Sequence, residues 1–324
     1  MRRRIPLRTR VFTGLTGPFG TPVESMDPAD LPALRRRRAR VQGSRVARFI
    51  VGRPAAGCEI GDRTVSFGDR QLRMRIYRPA GAEGALPGVI AFHGGGFVLG
   101  DPEQAEWLCS EVAVRVGAIV MSADYRLAPE HPYPAAVEDA WDTTRWAYES
   151  AAELGVDTDR LAVMGESAGG TLAAVAAIRA RDSDMPRLRM QALLYPAVDM
   201  SATFDSERRN AAGPVITSAQ MKGFSRLYLG GADGSDPIAS PLRTTDLSGL
   251  APALIQTAEY DPLADNGRHY ATALRDAGVA VRYTSYRGAV HGYLNMPGVV
   301  PAARQAIDEI AREFTRAFGG RTTS

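Results

Sequence analysis

The sequence predicts an α/β protein with a mostly parallel central sheet flanked by helices, and three observations predict it. Short, continuously apolar runs recur at 89–92, 118–121, 161–164, 192–194 and 253–255. Helix-like stretches lie between them at 103–116, 135–153, 168–181 and 262–277. Before the first run, Leu72, Met74 and Ile76 alternate with Arg73, Arg75 and Tyr77, the period-two pattern of a half-exposed strand.

Taken in chain order, residues 1 to about 55 lack a strand pattern and carry Pro6, Pro18, Pro22, Pro28 and Pro32. One or two helices are expected over 30–50, with irregular chain before them. From about residue 64 the strand pattern begins. The apolar runs that follow read as strands covered on both faces, the habit of a parallel sheet. Their alternation with helices calls for right-handed crossovers and a doubly wound sheet. Residues 200–235 break the rhythm, with Phe204, Met221, Phe224, Leu227 and Tyr228 in a helix-compatible setting. An insertion there lies above the strand ends, where open α/β sheets bind ligands. The division expected is an N-terminal cap segment over 1–55 and a catalytic domain over 56–324 with a cap insertion at about 200–235. A strand at 281–286 and a helix at 301–318 complete the order.

Composition narrows the function. A chain of 324 residues, 45% hydrophobic and 23% charged, buries a core without disulfides. Its two cysteines, Cys58 and Cys109, are far apart, which suits a reducing cytosol rather than a disulfide framework. The formal charge is only +3, Lys222 is the sole lysine, and arginines cluster at Arg2 to Arg4 and Arg35 to Arg38. Such runs read as solvated helix faces, and no aromatic residues interleave with them, so no nucleic-acid partner is expected. Pro6, Arg8 and Arg10 interrupt any signal-like apolar stretch, and no run reaches the length of a membrane span. The expectation is a cytoplasmic protein with no membrane partner. His93, His131, His269 and His291 are widely spaced, so no metal is expected and no cofactor is required.

The chemistry sits in three places. Gly165-Glu166-Ser167-Ala168-Gly169 is a G-x-S-x-G pattern between an apolar strand and a small-residue helix. That strand–turn–helix setting exposes a serine nucleophile on a tight turn, and the helix N-terminus behind it favours developing negative charge. His93-Gly94-Gly95-Gly96-Phe97 follows another strand directly. Three consecutive glycines cost backbone entropy, and an oxyanion hole would require them, with N–H groups from Gly94, Gly95 and Ala168. His93 reads as a loop brace. The third place is the end of the chain. After Ser167 only His269 and His291 remain, and His269 falls in the helix-like stretch 262–277, which leaves His291 as the base. Asp261, before Pro262 at a strand end, is the acid that would hold the imidazole tautomer. Glu259 reads as a structural partner and Asp265 as a helix residue.

With Asp124-Tyr125-Arg126-Leu127-Ala128-Pro129-Glu130, Ser240-Pro241-Leu242, Asp261-Pro262-Leu263 and His291-Gly292-Tyr293, these motifs stand in one order. Over roughly 65–320 the chain resembles the bacterial hormone-sensitive-lipase-like esterases. The resemblance implies an α/β-hydrolase fold with a helical cap, hydrolysis of esters with short to medium acyl chains, and a homodimer through a sheet edge. Glu166 stands where that family often has Asp, and Tyr293 where it often has Phe. Phe97, Met221, Phe224, Tyr228 and Tyr293 are the expected substrate-binding side chains, although Met221, Phe224 and Tyr228 could equally dock the cap. Activity is expected to fall as His291 takes a proton, at about pH 6 to 7. Two other readings remain. An amidase or acyl transferase would use the same triad. A ligand receptor on this scaffold, as in the plant gibberellin receptors, lacks the histidine that His291 supplies.

Overall fold

The computed structural model describes residues 5–16, 23–42 and 44–319. Eight strands form one sheet: β1 (Cys58–Phe67), β2 (Arg70–Pro79), β3 (Leu86–Phe92), β4 (Ile119–Ala123), β5 (Val156–Glu166), β6 (Met190–Leu194), β7 (Ala253–Tyr260) and β8 (Val281–Val290). Their order is β1-β2-β4-β3-β5-β6-β7-β8, with β1–β2 and β2–β4 antiparallel and every other pair parallel.

Eleven α-helices accompany the strands among the described residues: α1 (Leu7–Thr16), α2 (Leu31–Gln42), α3 (Arg45–Val51), α4 (Glu106–Val116), α5 (Ala135–Glu149), α6 (Ala151–Leu154), α7 (Ala168–Arg181), α8 (Asp205–Arg209), α9 (Ser218–Leu229), α10 (Ala264–Asp276) and α11 (Ala302–Ala317). The period-two geometry of the strands feeds two cores. On β3, Ile90 and Phe92 share one core with Leu172 of α7 and Val137 of α5, whereas Val89 and Ala91 share the other with Leu108 of α4 and Ile307 of α11. The central strands are apolar on both faces because both faces are covered, as expected from the continuous runs.

Four expectations change. A helix, α1, stands where irregular chain was expected. Its Thr9 and Thr13 turn inward, and Thr9 Oγ1 donates to the Val299 carbonyl (2.8 Å) while Leu7 and Val11 face out. An apolar stripe therefore could not announce it. β1 carried no strand signal, because at the sheet edge only Val65 of its ten residues is buried. The helix expected over 135–153 is two, α5 and α6, divided at Ser150. Lastly, β8 runs on to Val290, so His291 follows the strand directly.

Candidate active site

Ser167 lies between β5 and α7 with φ +53° and ψ −115°, a strained setting for a residue with a side chain. The neighbours make it possible: a Cβ on Gly165 would overlap the Gly169 carbonyl, so only glycine closes the turn. The Ser167 N–H donates to the Leu194 carbonyl of β6 (2.8 Å), which ties the turn to the next strand. The result is a side chain aimed out from the C-terminal edge of the sheet.

His291 and Asp261 reach the same point from β8 and β7. His291 Nε2 is 2.9 Å from Ser167 Oγ, and His291 Nδ1 is 2.7 Å from Asp261 Oδ2. Asp261 is fully buried, and its other oxygen accepts the Leu263 N–H (2.8 Å). Such a carboxylate fixes the Nδ1–H tautomer and leaves Nε2 free to accept a proton from the serine. Ser167 and His291 are each 8% exposed, so the pair works from under a roof.

The glycine loop lies alongside. Gly94 packs against Ser167, since a Cβ there would sit 3.4 Å from the serine Cβ. Gly95 has φ +125°, and a Cβ would overlap the Leu99 carbonyl, while its own carbonyl accepts the Leu99 N–H (2.9 Å). Among the described residues, the N–H groups of Gly94, Gly95 and Ala168 donate to no other protein atom. Three unspent donors therefore flank the serine. His93 braces this loop: its Nδ1–H meets the Gly94 carbonyl (2.8 Å) and its ring stacks on Tyr125 at 4.2 Å. Full burial pushes its pKa down, so it stays neutral.

The remaining expected residues separate. Phe97, at φ +63°, stacks on Tyr228 at 3.8 Å, and both are buried. Met221 and Phe224 are half-buried on α9, and Phe224 lies against Gly96 of the glycine loop. Tyr293 does not join them. It is fully buried in the core on the α4 and α11 side, against Tyr195 and Tyr286, with its hydroxyl donating to Gln256 Oε1 (3.1 Å). The turn after His291 carries it under the sheet edge rather than over it, which corrects the substrate-binding expectation.

The rejected candidates have other work. Glu259 accepts the Gly288 N–H (2.8 Å), His269 stacks on Phe204 at 4.9 Å, and Asp265 pairs with Arg268. The reading of Arg35 to Arg38 as one solvated face is also corrected. Arg35 donates to the carbonyls of Val98 and Ala128 and forms a two-pronged pair with Glu130 (2.8 and 2.9 Å), so α2 is bolted to the loops beside the glycines. Two supports went unread. Asn210, just after α8, donates to the Asp261 carbonyl (2.9 Å), and Ser206 on α8 donates to the Pro262 carbonyl (2.6 Å). Both partners lie more than fifty positions away, and no local pattern marks them. Among the described residues no group of three or more His, Cys, Asp or Glu could hold a metal, and no helix is long and apolar enough to cross a membrane.

Residues 89–295 match the family described as the alpha/beta hydrolase fold. The chain is 47% identical to the esterase LipI of Mycobacterium tuberculosis over 72% of this chain and 75% of that protein. It is 36% identical to an ethyl acetate hydrolase of Pseudomonas putida over 85% of this chain and 88% of that protein. Among solved structures, the hyperthermophilic esterase of Pyrobaculum calidifontis superposes with a TM-score of 0.89 at 36% identity, covering 97% of this chain and 99% of that one.

Proposed function

The chain belongs to the α/β-hydrolase family and is a carboxylic ester hydrolase, and from that premise we propose that it cleaves short- to medium-chain acyl esters through Ser167, His291 and Asp261. The observation that carries the proposal is the continuous chain from Ser167 Oγ to His291 Nε2 and from His291 Nδ1 to buried Asp261. His291 takes the serine proton as Oγ attacks the ester carbonyl, and Asp261 steadies the imidazolium that forms. The N–H groups of Gly94, Gly95 and Ala168 hold the oxyanion. His291 returns its proton to the leaving alcohol, and water then cleaves the acyl-enzyme by the reverse path.

The chain-length reading rests on the roof. Residues 23–42 and 44–51 with α8 and α9 form a helical cap: Gly223 of α9 packs against Val23 and Glu24, and Arg35 fixes α2 beside the glycine loop. Phe224, which lies against Gly96 of the glycine loop, is the apolar side chain beside which a short acyl group would lodge. The name of the Pseudomonas relative, an ethyl acetate hydrolase, supports the same size class. Cys58 and Cys109, both unpaired, suit a cytoplasmic setting.

The test is hydrolysis of p-nitrophenyl esters from acetate to palmitate by the full chain and by Ser167→Ala. Turnover should peak at short chains and fall by at least about a thousandfold in the mutant. A folded Ser167→Ala protein with near-wild-type turnover would overturn the nucleophile, and a peak at palmitate would overturn the substrate class.

A further inference from the structure

One buried acid beside the nucleophile has no part in the acyl-transfer steps. Glu166 directly precedes Ser167 and is 1% exposed, yet among the described residues no arginine or lysine pairs with it. Its partners are neutral. The Tyr195 hydroxyl donates to Oε1, and the Asn295 amide, with its nitrogen turned toward the acceptors, donates to Oε1 (3.1 Å) and to the Gln104 carbonyl (3.2 Å).

These partners come from the segments that hold the chemistry. Asn295 lies four residues beyond His291. Gln104 reaches the glycine loop, where a Cβ on Gly94 or Gly100 would meet its side-chain amide at 3.5 and 3.2 Å. Tyr195 directly follows β6, and its ring meets the His291 ring edge-on, with centroids 5.1 Å apart. Tyr195 is also one of only three non-glycine residues with positive φ among the described residues, at +40°, and the other two are Ser167 and Phe97. Strain of this kind persists where surrounding structure imposes it, and here it lays Tyr195 between Glu166 and the imidazole.

We propose that Glu166, Tyr195 and Asn295 are positioning residues for His291: they lock the base's loop to the nucleophile turn, and the Glu166 carboxylate supports the imidazolium formed during acyl transfer. The proposal rests on the Ser167–His291 reading above. The other titratable groups facing Glu166 are Cys109 on α4, Tyr125 after β4 and Tyr293 after His291. Burial raises all three, as it does Tyr195, so they stay neutral and His291 is the one group near Glu166 that gains charge during turnover. Burial likewise pushes the Glu166 carboxyl up to about 7, while the Tyr195 hydroxyl and a charged His291 draw it down. A proton on His291 therefore favours the Glu166 anion.

The test is the pH dependence of kcat/KM for p-nitrophenyl acetate with wild type, Glu166→Gln, Glu166→Asp and Tyr195→Phe. Folding is checked by melting, and Ser167 is counted by phosphonate labelling. Gln keeps the hydrogen bonds and removes the charge. Its kcat should fall about tenfold with KM nearly unchanged, and its acid limb should move down by about one pH unit. Glu166→Asp, which keeps the charge, should restore the limb. Tyr195→Phe should move the limb the same way as Gln, because a carboxyl that loses a donor holds its proton more tightly, and it carries the test if Glu166→Gln does not fold. A folded, phosphonate-labelled Glu166→Gln enzyme whose acid limb stays at the wild-type position overturns the proposal, whatever its kcat. Wild-type protein that takes up no phosphonate overturns the Ser167 reading, and this proposal with it.

Discussion

The strand-end rim and the helical layer above it are built by different means. On the rim, backbone bonds hold Ser167 and its surroundings: Ser167 N–H on Leu194 and Tyr195 N–H on Gln256 (2.6 Å) between segments, and Leu99 N–H on Gly95 within the glycine loop. The layer above is held by side chains, chiefly Arg35 on Val98, Ala128 and Glu130, and by two isolated backbone bonds, Tyr133 N–H on Tyr228 (2.8 Å) and Gly298 N–H on Ile50 (3.1 Å). Four of the five large exposed hydrophobics among the described residues, Leu7, Val11, Val41 and Phe49, lie on α1, α2 and α3. Reacting atoms tolerate displacement of only a fraction of an ångström, so they sit where the β-ladder leaves no slack. Helices that carry no reacting atom can be fastened by a few replaceable contacts.

That contrast can be broken first at the rim. Gly95→Ala puts a methyl into the Leu99 carbonyl at a φ that alanine rarely adopts, and it must disturb the N–H groups proposed to hold the oxyanion. We expect kcat/KM to fall by about a hundred- to a thousandfold while circular dichroism shows a folded protein. A loss under threefold would mean that these amides do not bind the transition state.

The next effect is on stability and belongs to the rim's buried acid. Glu166 has a folded pKa of about 7 against an ordinary 4.5, so the folded state binds the proton more tightly. Its contribution is fully present below about pH 4.5 and is lost as pH rises through 7, at most about 3 kcal/mol. Asp101, pushed up to about 6 by burial, works in the same direction. The difference between wild type and Glu166→Gln in melting temperature from pH 5 to 8 therefore isolates Glu166, and the mutant curve should be flatter. Parallel curves would show that Glu166 ionises without cost.

The smallest effect is expected in the layer. Arg35→Ala removes three anchors at once but no reacting atom, so KM should rise about three- to tenfold with kcat changed less. A kcat loss as large as that of Gly95→Ala would erase the distinction between rim and layer.

What could be read from the sequence was local. The turn around Ser167 is written in five consecutive residues between an apolar strand and a small-residue helix, and α7 spans the expected 168–181. His291 was picked from only two histidines after Ser167, and Asp261 from its place at a strand end before Pro262; the fold brings both into line with Ser167. Tertiary structure decided what depends on distant partners or on the edge of the fold. β1 could not be read because an edge strand buries little, and α1 because its polar side faces inward. Tyr293 went under the sheet because the turn after β8 faces the α4 and α11 core. The bracing of Asp261 by Asn210 and of Glu166 by Tyr195 and Asn295 joins residues 29 to 129 positions apart. Hydrogen-bond geometry across such separations leaves no periodicity in the chain, since only the folded sheet brings those segments together.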